Sequence, residues 1–257
     1  DYAGDVVTAK VQAGQTRAES TALDRGTVLA SRYGDYADPY SGDLHDVKLP
    51  TYEGVNLGYG YKLDRKFDSN ESEGDIFFSI GDYTTYDTNV SSSNATYQSL
   101  IKSIADYVDV GLHASYFTMN NASLLKKEKE RLEDIINMPI QRSRQHYLRF
   151  SLPESYQNLI DLEIEEDYSM GYASNVGFRA STCTPFYFYD LDFEIQTPLK
   201  VFPFALMDTT LNDYMKLTPK QSLGKIRDLK NEVKRVNGTF ITLFHNESLS
   251  NYQRWKG

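Results

Sequence analysis

The sequence predicts an α/β fold, a (β/α) barrel of about six or seven strand and helix units. The first observation behind this prediction is that short apolar runs, which suit buried strands, alternate with longer amphipathic segments, which suit helices. The second is the length, because a chain of 257 residues can enclose the core of one such barrel. Strands joined by helices pair in parallel, since a parallel connection needs a long crossover.

The predicted strands and helices all follow residue 74. The strands cover Asp75–Ile80, Val108–His113, Ile140–Phe150, Ile164–Met170, Val201–Met207 and Thr239–His245. The helices cover Tyr97–Tyr107, Ser123–Asn137, a segment opened by Pro153, and Lys220–Val236. Leucine, isoleucine and valine recur in these helices at the spacing of one helix face.

Residues 1–70 differ in character from the rest of the chain. They are rich in Asp, Gly and Tyr, with weak periodicity and few apolar runs. We expect a poorly defined N-terminal segment over 1–70, either an extension or an irregular start of the barrel. The barrel itself is predicted over residues 71–257.

Composition excludes several classes of protein. A formal net charge of −9 and the lack of a basic stripe argue against nucleic acid as a partner. No apolar run is long enough to span a membrane, so a soluble protein is expected. Phosphate-binding loops and the Gly-X-Ser-X-Gly nucleophile motif are absent from the sequence. The composition does not indicate an oligomeric state.

Histidines fall at the strands of the predicted sheet. His113 and His245 each end a strand, and His146 lies inside the predicted strand Ile140–Phe150. In parallel α/β folds the active site gathers at the carboxyl ends of strands. A single buried histidine is also compatible with a hydrogen-bonded core residue, but this grouping favours a shared site. His113 with Asp82, which follows the first strand, forms part of a metal-ligand set; Asp82 equally suits a loop cap.

Six short blocks between Gly111 and Asn246 carry a resemblance to a known family. The blocks are Gly111–Tyr116, Ser143–Leu148, Asp167–Tyr172, Gly177–Thr182, Pro203–Asp208 and Leu243–Asn246. In this order they resemble bacterial polysaccharide deacetylases of the NodB-homology group, carbohydrate esterase family four. The resemblance implies an irregular (β/α) barrel, a metal-dependent hydrolase that removes acetyl groups from an N- or O-acetylated polysaccharide, and a bacterial cytoplasm or cell-envelope location.

The resemblance also implies catalytic roles. His245, in Leu243-Phe-His245, matches the general acid of the family. Arg144 matches the arginine that orients the catalytic aspartate, and Asp167 matches the aspartate that tunes the acid histidine. Asp46 is the candidate for the catalytic aspartate itself.

The implied metal site is incomplete. His113, Asp82 and His146 are the candidate ligands, and zinc is the first choice because imidazole with carboxylate suits it. The family carries a second histidine four residues after the first, where this chain has Phe117. Lys48 likewise stands where the first family motif has a carboxylate.

Two functions follow from these patterns. One is a metal-dependent deacetylase that acts on a carbohydrate, with Arg179, Tyr116 and Tyr172 binding the substrate. Arg179 is equally suited to pair with Asp167 or another acid. The other function is a non-catalytic carbohydrate-binding protein on the same fold, which the missing ligands favour. In either case we expect His113 and His245 to face one cavity, with Asp167 or a neighbouring acid beside His245.

Overall fold

The computed structural model describes residues 5–12 and 72–249 of the chain. Its strands are β1 (Asp5–Gln12), β2 (Ser72–Phe78), β3 (Asp109–Ala114), β4 (Arg142–Gln145), β5 (Glu166–Asp167), β6 (Phe186–Asp190), β7 (Ile195–Val201), β8 (Leu206–Met207) and β9 (Thr239–His245). Its α-helices are α1 (Ala95–Ala105), α2 (Ala122–Ile136), α3 (Glu154–Asp161) and α4 (Pro219–Arg235). None of the described helices is long and apolar enough to cross a membrane.

The nine described strands form one mixed, mostly parallel sheet in the order β6-β7-β5-β4-β3-β2-β1-β9-β8. β2, β3, β4, β5 and β7 pair in parallel, and β8 pairs in parallel with β9. β1 is antiparallel to both β2 and β9, so β2 and β9 run in the same direction. The predicted α/β class with a mostly parallel sheet is therefore confirmed.

The chain between β7 and β8 contacts two distant parts of this sheet. The backbone N–H groups of Phe202 and Phe204 donate to the carbonyls of Asp167 and Met170, at 2.8 and 3.1 Å. One residue later, the N–H of Ala205 donates to Ile241 at 2.8 Å. The predicted strand Val201–Met207 is thus divided in two, because Pro203 has no N–H to continue a ladder.

Apolar side chains pack on both faces of the sheet. Phe78 and Leu112 point toward the helices, where they meet Leu100 and Leu132 in the main core. Phe77, the neighbour of Phe78, points to the opposite face, because successive side chains of a strand alternate. There it joins a second buried cluster made of Tyr168, Phe202, Phe204, Met207, Ile241 and Leu243.

Capping residues set the ends of the helices. Asn121 caps α2, with its side chain accepting from the N–H of Leu124 at 3.0 Å. Thr218 caps α4 and forms a capping box with Gln221. The predicted helix Lys220–Val236 agrees with α4 to within one residue at each end.

The predicted strand Ile140–Phe150 is shorter than expected. β4 ends at Gln145, and His146 begins a single 3-10 turn. Tyr147 and Leu148 have φ of 57° and 52°, which a strand cannot accommodate. His146 therefore directly follows the end of β4 instead of lying inside a strand, whereas His113 and His245 lie at the carboxyl ends of β3 and β9.

The side chain of Glu128, on α2, is fully buried. Glu128 accepts hydrogen bonds from the hydroxyl of Ser115 at 2.5 Å and from its N–H at 3.0 Å. Burial raises the pKa of Glu128 from 4.5 to about 7, which outweighs the effect of these bonds. The folded protein therefore holds a proton that the unfolded chain has lost between these two pKa values, so its stability falls as the pH rises through this window.

Replacing Glu128 with Gln should abolish this pH dependence. The amide can accept from the Ser115 N–H and donate to its hydroxyl without titrating. As the pH rises from about 4.5 to 8, the unfolding free energy of E128Q should increase relative to that of wild type by up to about 3 kcal/mol. Urea denaturation across this range measures the gap. Glu130→Gln, an exposed change on the same helix, is the matched control; an E128Q curve parallel to wild type would contradict the assignment.

Candidate functional site

A cavity of about 290 Å³ opens where β3, β4, β8 and β9 reach their carboxyl ends. Its lining includes His113, Arg144, His146 and His245, together with the apolar side chains of Met207 and Leu243. His113 and His245 thus belong to strands of one sheet and line one cavity, as the sequence predicted.

His245 is held by a buried aspartate. The Nδ1 atom of His245 lies 2.7 Å from Oδ1 of Asp208, and the backbone N–H of His245 donates to Oδ2 of the same carboxylate at 2.6 Å. Burial acts to raise the pKa of Asp208, but the hydrogen bonds from His245 outweigh it and the pKa lies below its ordinary value. Asp208 is therefore a carboxylate that fixes the imidazole ring and leaves Nε2 for the cavity.

Asp208 is the carboxylate partner of His245, the role that the sequence predicted for Asp167. Asp167 is fully buried and accepts from the hydroxyls of Ser169 and Tyr156, at 2.6 and 2.9 Å. Burial raises the pKa of Asp167 in spite of these bonds. Its carboxylate stabilises the loop after β5 and is not the partner of His245. Asp208 also follows a strand, so the rule that selected the histidines would have selected it.

His146, which lines the same cavity, forms a second imidazole and carboxylate pair with Asp87. Nδ1 of His146 lies 2.6 Å from Oδ1 of Asp87, which is fully buried. Asp87 also accepts from the N–H of Tyr116 at 3.0 Å and from the hydroxyl of Thr84 at 2.9 Å. These hydrogen bonds lower the pKa of Asp87 although burial acts to raise it. Asp87 was not predicted, because it lies in a loop well after β2 without a strand-end position.

Two further polar side chains of the cavity are buried and unpaired. His113 and Arg144 are partners in the register of β3 and β4. Within the described chain, Nδ1 of His113 and all three guanidinium nitrogens of Arg144 have no hydrogen-bond partner. Burial and the neighbouring charges of His146 and Arg144 lower the pKa of His113 well below its ordinary value, so this ring is neutral. Burial lowers the pKa of Arg144 to about 9, which leaves it a cation at neutral pH.

The predicted metal set does not come together among the described residues. Asp82 does not line the cavity; it is exposed and pairs with Arg131 of α2 at 2.9 Å. Asp87 is near, but protein donors already occupy its oxygens. Over residues 72–249, no three His, Cys, Asp or Glu side chains are grouped to hold one ion. Asp46 lies outside the described residues, and the described donors alone do not fit a zinc site.

The predicted substrate-binding residues lie apart from the cavity lining. Arg179 stacks over the ring of Phe150 at 4.5 Å, and Tyr172 is exposed. Tyr116 stacks on Tyr86 with ring centroids 3.9 Å apart. The aromatic residues that line the cavity are instead Tyr147 and Tyr214, both more than half exposed, which sequence reasoning did not single out.

Comparisons with known proteins give one weak similarity to report. No family model matches the sequence, and no curated protein matches it. Among solved structures, the chain is similar to a Mycobacterium smegmatis protein assigned as a polysaccharide deacetylase, at 16% sequence identity and a TM-score of 0.42. The similarity covers 55% of this chain and 51% of that protein, so this chain matches about half the length of its relative. The chemistry of this chain therefore rests on its own residues.

Proposed function

We propose that the protein is a hydrolase that removes an acyl group, foremost an acetyl group, from an N- or O-acylated carbohydrate. The His245–Asp208 pair carries this proposal, because it presents an oriented imidazole to a cavity at the carboxyl ends of parallel strands. We further interpret the sheet as an irregular barrel. The hydrogen bonds of Phe204 to Met170 and of Ala205 to Ile241 support this interpretation.

The two histidine pairs can divide the proton transfers of hydrolysis. A water molecule attacks the acyl carbon and loses a proton, for which His146 on Asp87 is the available base. The bond from the acyl carbon to the sugar nitrogen or oxygen then breaks, and His245 donates a proton from Nε2 to the departing atom.

Metal dependence is a separate part of the proposal. The described residues supply the imidazoles of His113 and His146 but no free carboxylate beside them. If His146 held the ion, it would no longer be the base for the attacking water. A zinc ion would need a further ligand, for which Asp46 is the candidate from the sequence. When bound, such an ion would polarise water or the acyl oxygen.

A non-catalytic carbohydrate-binding protein is the second candidate. The engagement of Asp87 by Tyr116, Thr84 and His146 favours it, because a carboxylate with three protein donors is poorly placed to hold an ion. The exposed rings of Tyr147 and Tyr214 at the cavity suit stacking on a sugar face.

Acetate release separates these two functions. We expect the purified protein to release acetate from N- or O-acetylated oligosaccharides, measured before and after dialysis against a chelator, with elemental analysis of the metal content. Loss of acetate release after dialysis would support metal dependence. Acetate release that persists after the metal is removed would show that the reaction does not need a metal ion. Binding of the oligosaccharides without any acetate release would support the binding protein and contradict the hydrolase.

A further inference from the structure

Two aromatic rings, those of Phe77 and Phe204, lie against the guanidinium group of Arg144. Its central carbon lies 5.0 Å from the ring centroid of Phe77 and 5.4 Å from that of Phe204. Aromatic rings stabilise a cation over their faces but accept no conventional hydrogen bond in its plane. Within the described part of the chain, nothing accepts from the buried N–H groups along the edge of this guanidinium, and Arg144 lines the cavity.

Among the described residues no carboxylate accepts a hydrogen bond from Arg144, although the charges of Asp167, Asp75 and Asp208 act on it. Oδ1 of Asp75 lies 3.6 Å from Nη1 of Arg142. Asp208 is occupied by His245, and Asp167 by Ser169 and Tyr156. A buried cation without a hydrogen-bonded partner is costly, so a ligand that supplies an acceptor would stabilise this one. His113, its register partner on β3, adds a neutral ring whose buried Nδ1 is also unpaired.

We propose that Arg144 and His113 form a subsite for a carboxylate group of the ligand, so that the carbohydrate bound in this cavity is an acidic sugar such as a uronic acid. The nature of the sugar rests on the proposed function, whereas the carboxylate subsite rests on these two side chains alone. The planar guanidinium edge matches the two oxygens of a carboxylate. Asp213 and Glu247 line the same cavity and disfavour a doubly charged phosphate or sulfate, which leaves a singly charged carboxylate as the fitting anion.

Binding measurements with paired sugars test this subsite. Glucuronate and galacturonate should raise the melting temperature of the wild-type protein and give a measurable Kd by calorimetry, at constant ionic strength. Glucose and galactose, which have the same ring without the carboxylate, should bind roughly tenfold more weakly or worse. Equal binding of acidic and neutral sugars, or a response to sulfate and phosphate as large as that to uronate, would overturn the proposal.

Arg144→Met is the informative variant, because it keeps the volume and apolar contacts of the side chain while removing its charge. Its melting temperature without ligand should be no lower than that of wild type, since an unpaired buried charge is lost. Uronate should no longer stabilise it. A strongly destabilised R144M protein, in combination with a wild type that does not respond to uronate, would show that Arg144 is paired within the protein.

Two further variants keep the result independent of folding and of turnover. Arg144→Lys retains the charge without the planar fork and should weaken uronate binding with the fold intact. Glu130→Gln, an exposed change on α2 that does not line the cavity, should bind uronate as wild type does. If acetate release fails while uronate binding depends on Arg144, the hydrolase is wrong and the subsite stands; the reverse result rejects the subsite alone.

Discussion

Replacing His245 with alanine should lower the rate of acetate release by about 10² to 10⁴, the usual contribution of a positioned general acid. The imidazole is partly exposed at the cavity, so its removal opens little of the core. It leaves the buried carboxylate of Asp208 without its imidazole partner, however, although backbone donors remain, so the melting temperature should fall modestly while the protein stays folded. The measurement is kcat and kcat/KM on an acetylated oligosaccharide, with thermal melting alongside. A variant with full activity would contradict the assigned role of His245.

The leaving group supplies a control within the same assay. A substrate with a good leaving group, such as an aryl acetate, needs no proton at departure. The loss in His245→Ala should therefore be much smaller for the aryl acetate than for the acetylated sugar. An equal loss on both substrates would mean that His245 positions the substrate and does not donate a proton.

Replacing Asp208 with asparagine should cost a similar factor, on the order of 10² to 10⁴ in kcat, through the orientation of His245. The amide is neutral and can donate to Nδ1, which would put the proton on the wrong ring nitrogen. Because its hydrogen bonds lower the pKa of Asp208, wild type also gains stability from this carboxylate above the unfolded pKa, and loses it as the pH falls. D208N should lack that acid-side loss, which urea denaturation at several pH values measures.

Asp167→Asn is the matched control for this change. It alters a buried aspartate at the end of another strand in the same way, but the carboxylate contacts Ser169 and Tyr156 and not His245. D167N should lower stability, since buried hydrogen bonds are weakened, and leave kcat of the folded fraction within a few-fold of wild type. A large loss of kcat in D167N together with a normal D208N would reinstate the role that the sequence suggested for Asp167.

The elements with a strong local signal were predicted well. β9 begins at Thr239 and ends at His245 as expected. A short, mainly apolar run between Gly238 and a polar segment is typical of a buried strand. α4 agrees for the same reason, since one face repeats at helical spacing and both ends carry capping residues. The two-residue strands β5 and β8 could not be delimited, because their pairing depends on neighbours that are distant in sequence.

The site was predicted only where chemistry coincides with a strand end. His113 and His245 satisfied that condition, and they share the cavity. The partners of the histidines could not be assigned, because they are fixed by tertiary packing: Asp208 reaches His245 from β8, and Asp87 reaches His146 from a loop. The end of the first strand suggested Asp82 and the family motif suggested Asp167 instead, since sequence position alone cannot tell which of several nearby acids turns toward the site.

The position of β1 has a consequence for how the chain acquires its structure. β1 lies between β2 and β9, and its register joins Val6 to Phe77 on one side and to His245 on the other. A strand made early in synthesis must therefore wait for β9, which follows nearly all of the other described elements, before its second ladder can form. Such non-local pairing slows folding, because a long loop has to be closed before its contacts stabilise it. The backbone of His245 is fixed by this late ladder, so the acid of the proposed site should be among the last groups to reach its place.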